Sequence, residues 1–193
     1  MINGRSHRTR WRTPTILVCT ILSLSTAVAA QAETVSSEEQ SCHQFVQGFY
    51  DWYVKMARQE HKDSSVDIAV KQKSTNFSAE LKRRLKEDAD ASAKSTDGIV
   101  GLDFDPFLNA QDFGEKYTVG KVTKKGGHYF AEVNVTWNGK KNAKPDVKPE
   151  LSNNGGIWVF ENFHYEKTNI PENENLLSVL AALKKDREKT AHK

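Results

Sequence analysis

"HYFAEVNVTW", residues 128–137, is the clearest structural signal in this 193-residue chain. Tyr129, Ala131, Val133, Val135 and Trp137 fall on one side of an extended backbone. A period of two over ten residues marks a strand with one buried face. Asn138-Gly139 follows at once. A type I′ turn needs positive φ at both central residues, and Asn-Gly supplies it, so the chain doubles back here.

Working outward, "YTVGKVT", 117–123, alternates weakly, and "KKGG", 124–127, is a turn, which predicts a hairpin on the N-terminal side. On the C-terminal side "KKNAKPDVKPEL", 140–151, carries Pro145 and Pro149. Proline donates nothing to a ladder, so this run is expected to be an edge strand or a loose arm. "SNNGG", 152–156, turns the chain again, and "IWVFENFHY", 157–165, reads as a long strand, apolar on both faces at its start. Pro171 announces a last helix, "NLLSVLAALKKDREK", with Leu176, Leu180 and Leu183 as its apolar stripe. Its basic end suits a helix C-terminus.

Before the strands the period is helical. In "SSEEQSCHQFVQGFYDWYVKMARQ", 36–59, Ser36 and Glu39 have capping-box spacing. Cys42, Phe45, Val46, Phe49, Trp52, Tyr53 and Met56 recur at steps of three and four, an aromatic stripe of the kind that builds a core. "SSVDIAVKQ", 64–72, fits a short helix, and "FSAELKRRLKEDADASA", 77–93, a longer one with Phe77, Leu81 and Leu85 on one side, ended by "STDG". Helices, then an antiparallel meander, then one closing helix give an α+β class. A curved sheet wrapped on the first helix would bury its stripe and leave a cone-shaped space for a pocket.

"LDFDPFLNAQDF", 102–113, joins helices to sheet. As a calcium loop starting at Asp103 it puts Phe107, Leu108 and Gly114 at three diagnostic positions, which fails. Asp103 and Asp105 point to opposite sides of an extended chain and make a poor shared-proton dyad, although a lone buried Asp is able to act as a base. The simpler reading is a rigid turn. Pro106 fixes its own φ and biases Asp105 to an extended conformation, Phe104 and Phe107 anchor in the core, and Asp side chains bond nearby backbone N–H groups.

The chain opens with Arg5, Arg8, Arg10 and Arg12, then an apolar run at 16–29 and two A-x-A sites ending at Ala29 and Ala32. That is the pattern of a secretory signal peptide over 1–32, with an apolar run shorter than the ~20 residues needed to span a bilayer. The whole chain has 28 Lys plus Arg against 25 Asp plus Glu, a net +3. Removing four arginines leaves 24 against 25, a net −1 over 33–193, so overall charge gives no argument for nucleic-acid binding. Of two cysteines only Cys42 remains, which rules out an intrachain disulfide and fits a buried thiol. His43, His61, His128, His164 and His192 are scattered without zinc spacing, and no nucleophile elbow or phosphate loop occurs. "KRRLK", 82–86, is followed by "EDAD" and reads as a solvated helix face.

"FVQGFYDWY", "LDFDPFLNAQDF", and "GGIWVFENFHY" followed by "LLSVLAAL" together resemble an uncharacterised family of exported bacterial proteins, the YbjP-like envelope lipoproteins, over roughly 40–185. The most specific piece is Asp103, Asp105, Pro106, Phe107, Gln111 and Asp112. The resemblance implies a cone-shaped, cystatin-like fold of the nuclear transport factor two and ketosteroid isomerase type, and a Gram-negative envelope location. It brings no catalytic residues. Val18 precedes Cys19, so no lipobox is present and the family's lipid anchor does not carry over.

The sequence therefore leads us to expect one domain at 33–193, periplasmic or secreted after cleavage. It is expected to be a non-enzymatic binding or interaction module for an envelope protein or small ligand. No cofactor, metal or nucleic acid is expected, and membrane contact only during export. Pocket candidates are Tyr50, Tyr53, Asp103, Asp105, Tyr117 and Trp158. The alternatives are a small-molecule enzyme with Asp103 or Asp105 as base and Tyr50, Tyr53 or Tyr117 as donor, or an immunity protein against a periplasmic toxin.

Overall fold

The computed structural model describes residues 1, 36–95, 100–165 and 174–191. The chain divides into two compact units, Met1–Thr34 and Val35–Lys193, and every element below belongs to the second. Apart from Met1, the expected signal peptide lies outside the described residues, as does Pro171.

Helix α1 spans Ser37–Ala57. Ser36 caps it with a full capping box: its Oγ accepts from Glu39 N at 3.1 Å, and Glu39 Oε2 accepts from Ser36 N at 3.0 Å. The short run at 64–72 is a helix, α2, Ser65–Gln72, capped by Ser64. After a 3₁₀ turn at Ser74–Asn76, α3 runs Ala79–Lys94 from the N-cap Ser78. The strands are β1 Lys116–Lys125, β2 His128–Trp137, β3 Lys140–Lys141, β4 Val147–Asn154 and β5 Ile157–Tyr165. Helix α4, Leu176–Ala191, closes the chain. The class is α+β, with four α-helices and a five-stranded antiparallel sheet among the described residues.

Sheet order is β1-β2-β4-β5, with β3 pairing only β2. This corrects the reading of 140–151. Strand β4 is interior, not an edge or a loose arm. It pairs β5 from Val147↔Tyr165 to Asn154↔Ile157, with Pro149 opposite Phe163. Toward β2 it pairs at Leu151, Glu150 and Val147 and skips Lys148 and Pro149. The missing proline N–H interrupts one ladder, and the other holds the strand in place. Bulges between Val119 and Val122 in β1, and opposite Glu150–Leu151 in β5, bend the two outer strands.

Both outer edges are covered. Gln47 of α1 reaches the β1 edge, where its Nε2 donates to Tyr117 O at 3.2 Å and its Oε1 accepts from Val119 N at 2.9 Å. His43 Nε2 lies 3.2 Å from Val119 O. On β5, Ser78 N donates to Phe160 O and Tyr165 N donates to Glu174 O, at 3.0 and 2.9 Å. Helix α1 lies on β1 and β2, while α3 and α4 pack on each other and on β5. Cys42, Val46, Phe49, Tyr50 and Tyr53 of α1 are buried against Val119, Val133, Leu151, Phe160 and Phe163 of the sheet.

Candidate functional site

The junction segment folds as expected from its residues. Asp105 Oδ1 accepts from Phe107 N at 3.0 Å and Leu108 N at 3.2 Å, an Asx-type turn. Asp105 N donates to Ala110 O at 2.9 Å, and Asn109 takes the left-handed conformation at φ 51 that asparagine tolerates. Three tyrosines hold this turn. Tyr50 Oη donates to Phe107 O at 2.8 Å, Tyr165 Oη to Pro106 O at 3.1 Å, and Tyr53 Oη to Asp105 Oδ2 at 2.6 Å. Phe107 is fully buried among Phe49, Tyr53, Phe77 and Phe163, with ring centroids 4.8 to 5.8 Å away. Phe104 is half-buried, edge-on to Tyr165.

Burial raises the Asp105 carboxyl to about 6, against the opposing pull of Tyr53 and the two backbone N–H groups. Burial, and then the nearby Asp105 charge, push the Tyr50, Tyr53 and Tyr165 hydroxyls well above their ordinary value. These phenols are therefore fixed donors. Asp105 has three of its acceptor positions occupied, by Tyr53 Oη and by the Phe107 and Leu108 N–H groups.

The space expected to hold a pocket, between α1 and the sheet, is filled. Phe49, Phe77, Phe107, Phe160 and Phe163 form one ring cluster there, with contacting centroids 4.8 to 5.8 Å apart. Tyr50, Tyr53 and Asp105 are brought together by the turn. Tyr117 is buried and stacks on Tyr50 at 5.9 Å, and its Oη accepts from Gly114 N at 3.3 Å. Trp158 is also buried but lies apart, edge-on to Tyr129 at 4.7 Å, and donates to Ser41 Oγ at 3.0 Å. The four aromatic pocket candidates are thus core residues. Of the motif's remaining members, Gln111 Nε2 donates to Asp103 O at 3.3 Å, and Asp112 is exposed.

An open concavity lies outside the core. A groove of about 800 Å³ runs between α2, α3 and the 102–105 segment, with Asp103 and Asp105 in its wall. Asp67 and Asp88 line it too, beside Leu85 and Phe104, and among the described residues no Lys or Arg does. Asp88 is buried and committed, because it accepts from Leu102 N at 2.9 Å and from Arg187 Nη1 at 2.5 Å. Asp67 caps α2 with Ser64, whose Oγ donates to Asp67 Oδ2 at 2.7 Å. The groove lining therefore mixes carboxylates with apolar side chains on each of its three segments.

A second constellation escaped the sequence reading. On the sheet face away from α1, the Glu150 carboxylate of β4 sits between histidines of β2 and β5. His164 Nε2 is 2.6 Å from Oε2, and His128 Nδ1 is 2.9 Å from Oε1 but out of line for a hydrogen bond. Phe130 covers His164 at 5.5 Å. Only strand register brings these residues together, and no spacing along the chain announces it. Among the described residues no group of three or more His, Cys, Asp or Glu side chains is placed to hold a metal ion. No helix among them is long and apolar enough to cross a membrane.

Comparison with family models and with curated proteins returns no match. Among solved structures, a crystal structure of a protein of unknown function from Bacteroides thetaiotaomicron VPI-5482 is similar over 65% of this chain and 90% of that chain, at 19% identity and a TM-score of 0.46. A likeness at that level carries no argument about fold family or function.

Proposed function

We propose that the chain is exported through its N-terminal segment, cleaved after Ala29 or Ala32, and works in the periplasm as a non-enzymatic binding module of the cell envelope. In this reading residues 33–193 form one cone-shaped domain of the nuclear transport factor two type, related to the YbjP-like proteins. The long aromatic helix beneath a bulged antiparallel sheet supports that shape.

The observation that carries the binding reading is the filled interior. An enzyme of this shape needs polar groups converging on open space under the sheet, and here phenylalanine rings occupy that space. Of the named candidates for donor and base, Tyr50, Tyr53 and Asp105 are spent on each other and on the turn, Tyr117 is buried against Tyr50, and Asp103 lies in the wall of the external groove. Binding then falls to the external groove, where the Asp67 and Asp103 carboxylates beside Leu85 and Phe104 suit a ligand or partner segment with a positive charge on an apolar body.

The test is to block the groove without touching the core. Ala89→Trp on α3 fills it, since Ala89 lines the groove and is half-buried. A ligand-containing periplasmic extract should raise the melting temperature of the wild-type protein and leave Ala89→Trp unmoved. An equal upshift in both proteins places the ligand elsewhere and defeats the groove reading. N-terminal sequencing of periplasmic material tests export separately, and recovery of an intact 1–32 segment in membranes contradicts it.

A further inference from the structure

We propose that the hairpin joining β2 to β3, with the neighbouring 113–116 segment, is a peripheral membrane anchor that seats on anionic lipid headgroups. This goes beyond the transient membrane contact expected during export, and it rests on a different part of the molecule from the groove.

Residues 137–144, "WNGKKNAK", are exposed without a break and contain no acid. Trp137 at the base of the hairpin is 38% exposed, and so is Phe113, which makes them two of the few large apolar side chains left in water among the described residues. They share one end of the molecule. A Cβ built on Gly114, the residue after Phe113, would come within 3.5 Å of Trp137 Cε2. Exposed Lys140 and Lys141 pair with Trp137 and Thr136, and exposed Lys116 meets Thr136 from the other side.

The patch is held rigidly. Arg58 Nη2 donates to Gly114 O at 2.5 Å and to Glu115 O at 3.0 Å. Glu115 N donates to Thr136 O at 2.8 Å, and Glu115 Oε2 accepts from Gly139 N at 3.0 Å. Gly114 allows this closeness, because a methyl group there would overlap Val135 Cγ2. Asn138 at φ 49 and Gly139 at φ 73 form the tight tip. The acids nearby are Glu115, tied to the tip, Asp146, which accepts from Val135 N and from Asn142 Nδ2 at 2.7 Å each, and exposed Asp112.

Charge and area select the occupant. Two partly exposed rings fall far short of the ~800 Å² per partner that a stable protein interface buries. A headgroup layer asks for less: an amphipathic aromatic at the interface and several lysines against anionic lipid. Trp137 and Phe113, with Lys140 paired to Trp137 and with Lys116 and Lys141 paired to Thr136 on the opposite face of the same strand end, match that description.

The experiment uses the full chain, vesicles of brominated phosphatidylglycerol or brominated phosphatidylcholine, and tryptophan fluorescence at about 150 mM salt. The difference between wild type and Trp137→Phe isolates position 137 from the other three tryptophans and from any binding by the apolar run at 16–29. Quenching assigned to Trp137 is expected with phosphatidylglycerol and not with phosphatidylcholine. The double variant Lys140→Gln, Lys141→Gln should weaken it about tenfold or more while its melting curve stays unchanged. Four outcomes overturn the proposal: no quenching at Trp137 in a chain that still sediments with vesicles, equal quenching by both lipids, an unaffected lysine variant, or protection of Trp137 by self-association or by a single-stranded oligonucleotide instead of by lipid.

Discussion

Asp105 is a carboxylate placed for structure at an electrostatic cost. Its folded pKa, about 6, lies above its ordinary 3.8, so the folded state holds the proton more tightly. Stability from this residue is therefore greatest below about pH 4, falls as pH rises toward 6, and is level above that, a loss of up to roughly 3 kcal/mol. Asp105→Asn keeps an acceptor for the Phe107 and Leu108 N–H groups and removes the charge. Urea midpoints from pH 4 to 7 should show the wild type losing stability relative to the variant across this window, with near-equality or a small advantage to the variant at pH 7. A constant difference contradicts the assignment. Phe107→Ala removes the buried hub of the ring cluster and should cost about 3–5 kcal/mol, or roughly 10 °C in melting temperature. Cys42 is fully buried, and burial with the nearby Glu39 charge pushes its thiol up to about 12. A thiol reagent should label it slowly in native protein and rapidly in urea. The turn was legible because Pro106, the flanking phenylalanines and Asp105 act locally. Its tyrosine clamps were not, since Tyr50, Tyr53 and Tyr165 lie 57, 52 and 59 residues from their partners.

At the scale of elements, β2 and the Asn138-Gly139 turn follow directly from period and turn chemistry, and so does the capping box of α1. Strand β4 was misread because a proline rule for isolated ladders ignores a second neighbour. Its β5 partner supplies what Pro149 cannot. The β1 edge is closed by a side chain, which no periodicity reveals. Gln47 presents one donor and one acceptor to Tyr117 O and Val119 N, in place of a further strand. Gln47→Leu should cost about 1–2 kcal/mol and expose the edge, so concentration-dependent association by light scattering is expected. Gln47→Glu retains the acceptor for Val119 N and should associate less. Equal, monomeric behaviour of both variants would show that the edge needs no cover.

For the whole molecule, pairing of a long aromatic helix with a bulged sheet was foreseeable, but whether the space between them stays open was not. That depends on where one loop places one ring. Phe107 enters from the junction segment and completes the cluster of Phe49, Phe77, Phe160 and Phe163, which makes the space between helix and sheet a core. The acidic groove also depends on tertiary placement, since Asp67, Asp88 and Asp103 come from three separate segments. Native-state hydrogen exchange of the Phe107 and Leu108 amides tests the filled, clasped interior most directly. Both N–H groups are bonded to Asp105 at the base of the core. A structural clasp predicts that they exchange only with global unfolding, at the same opening free energy as Val133 in β2. Exchange within minutes while Val133 stays protected would mean that the turn opens by itself, and that the interior is a site and not a core.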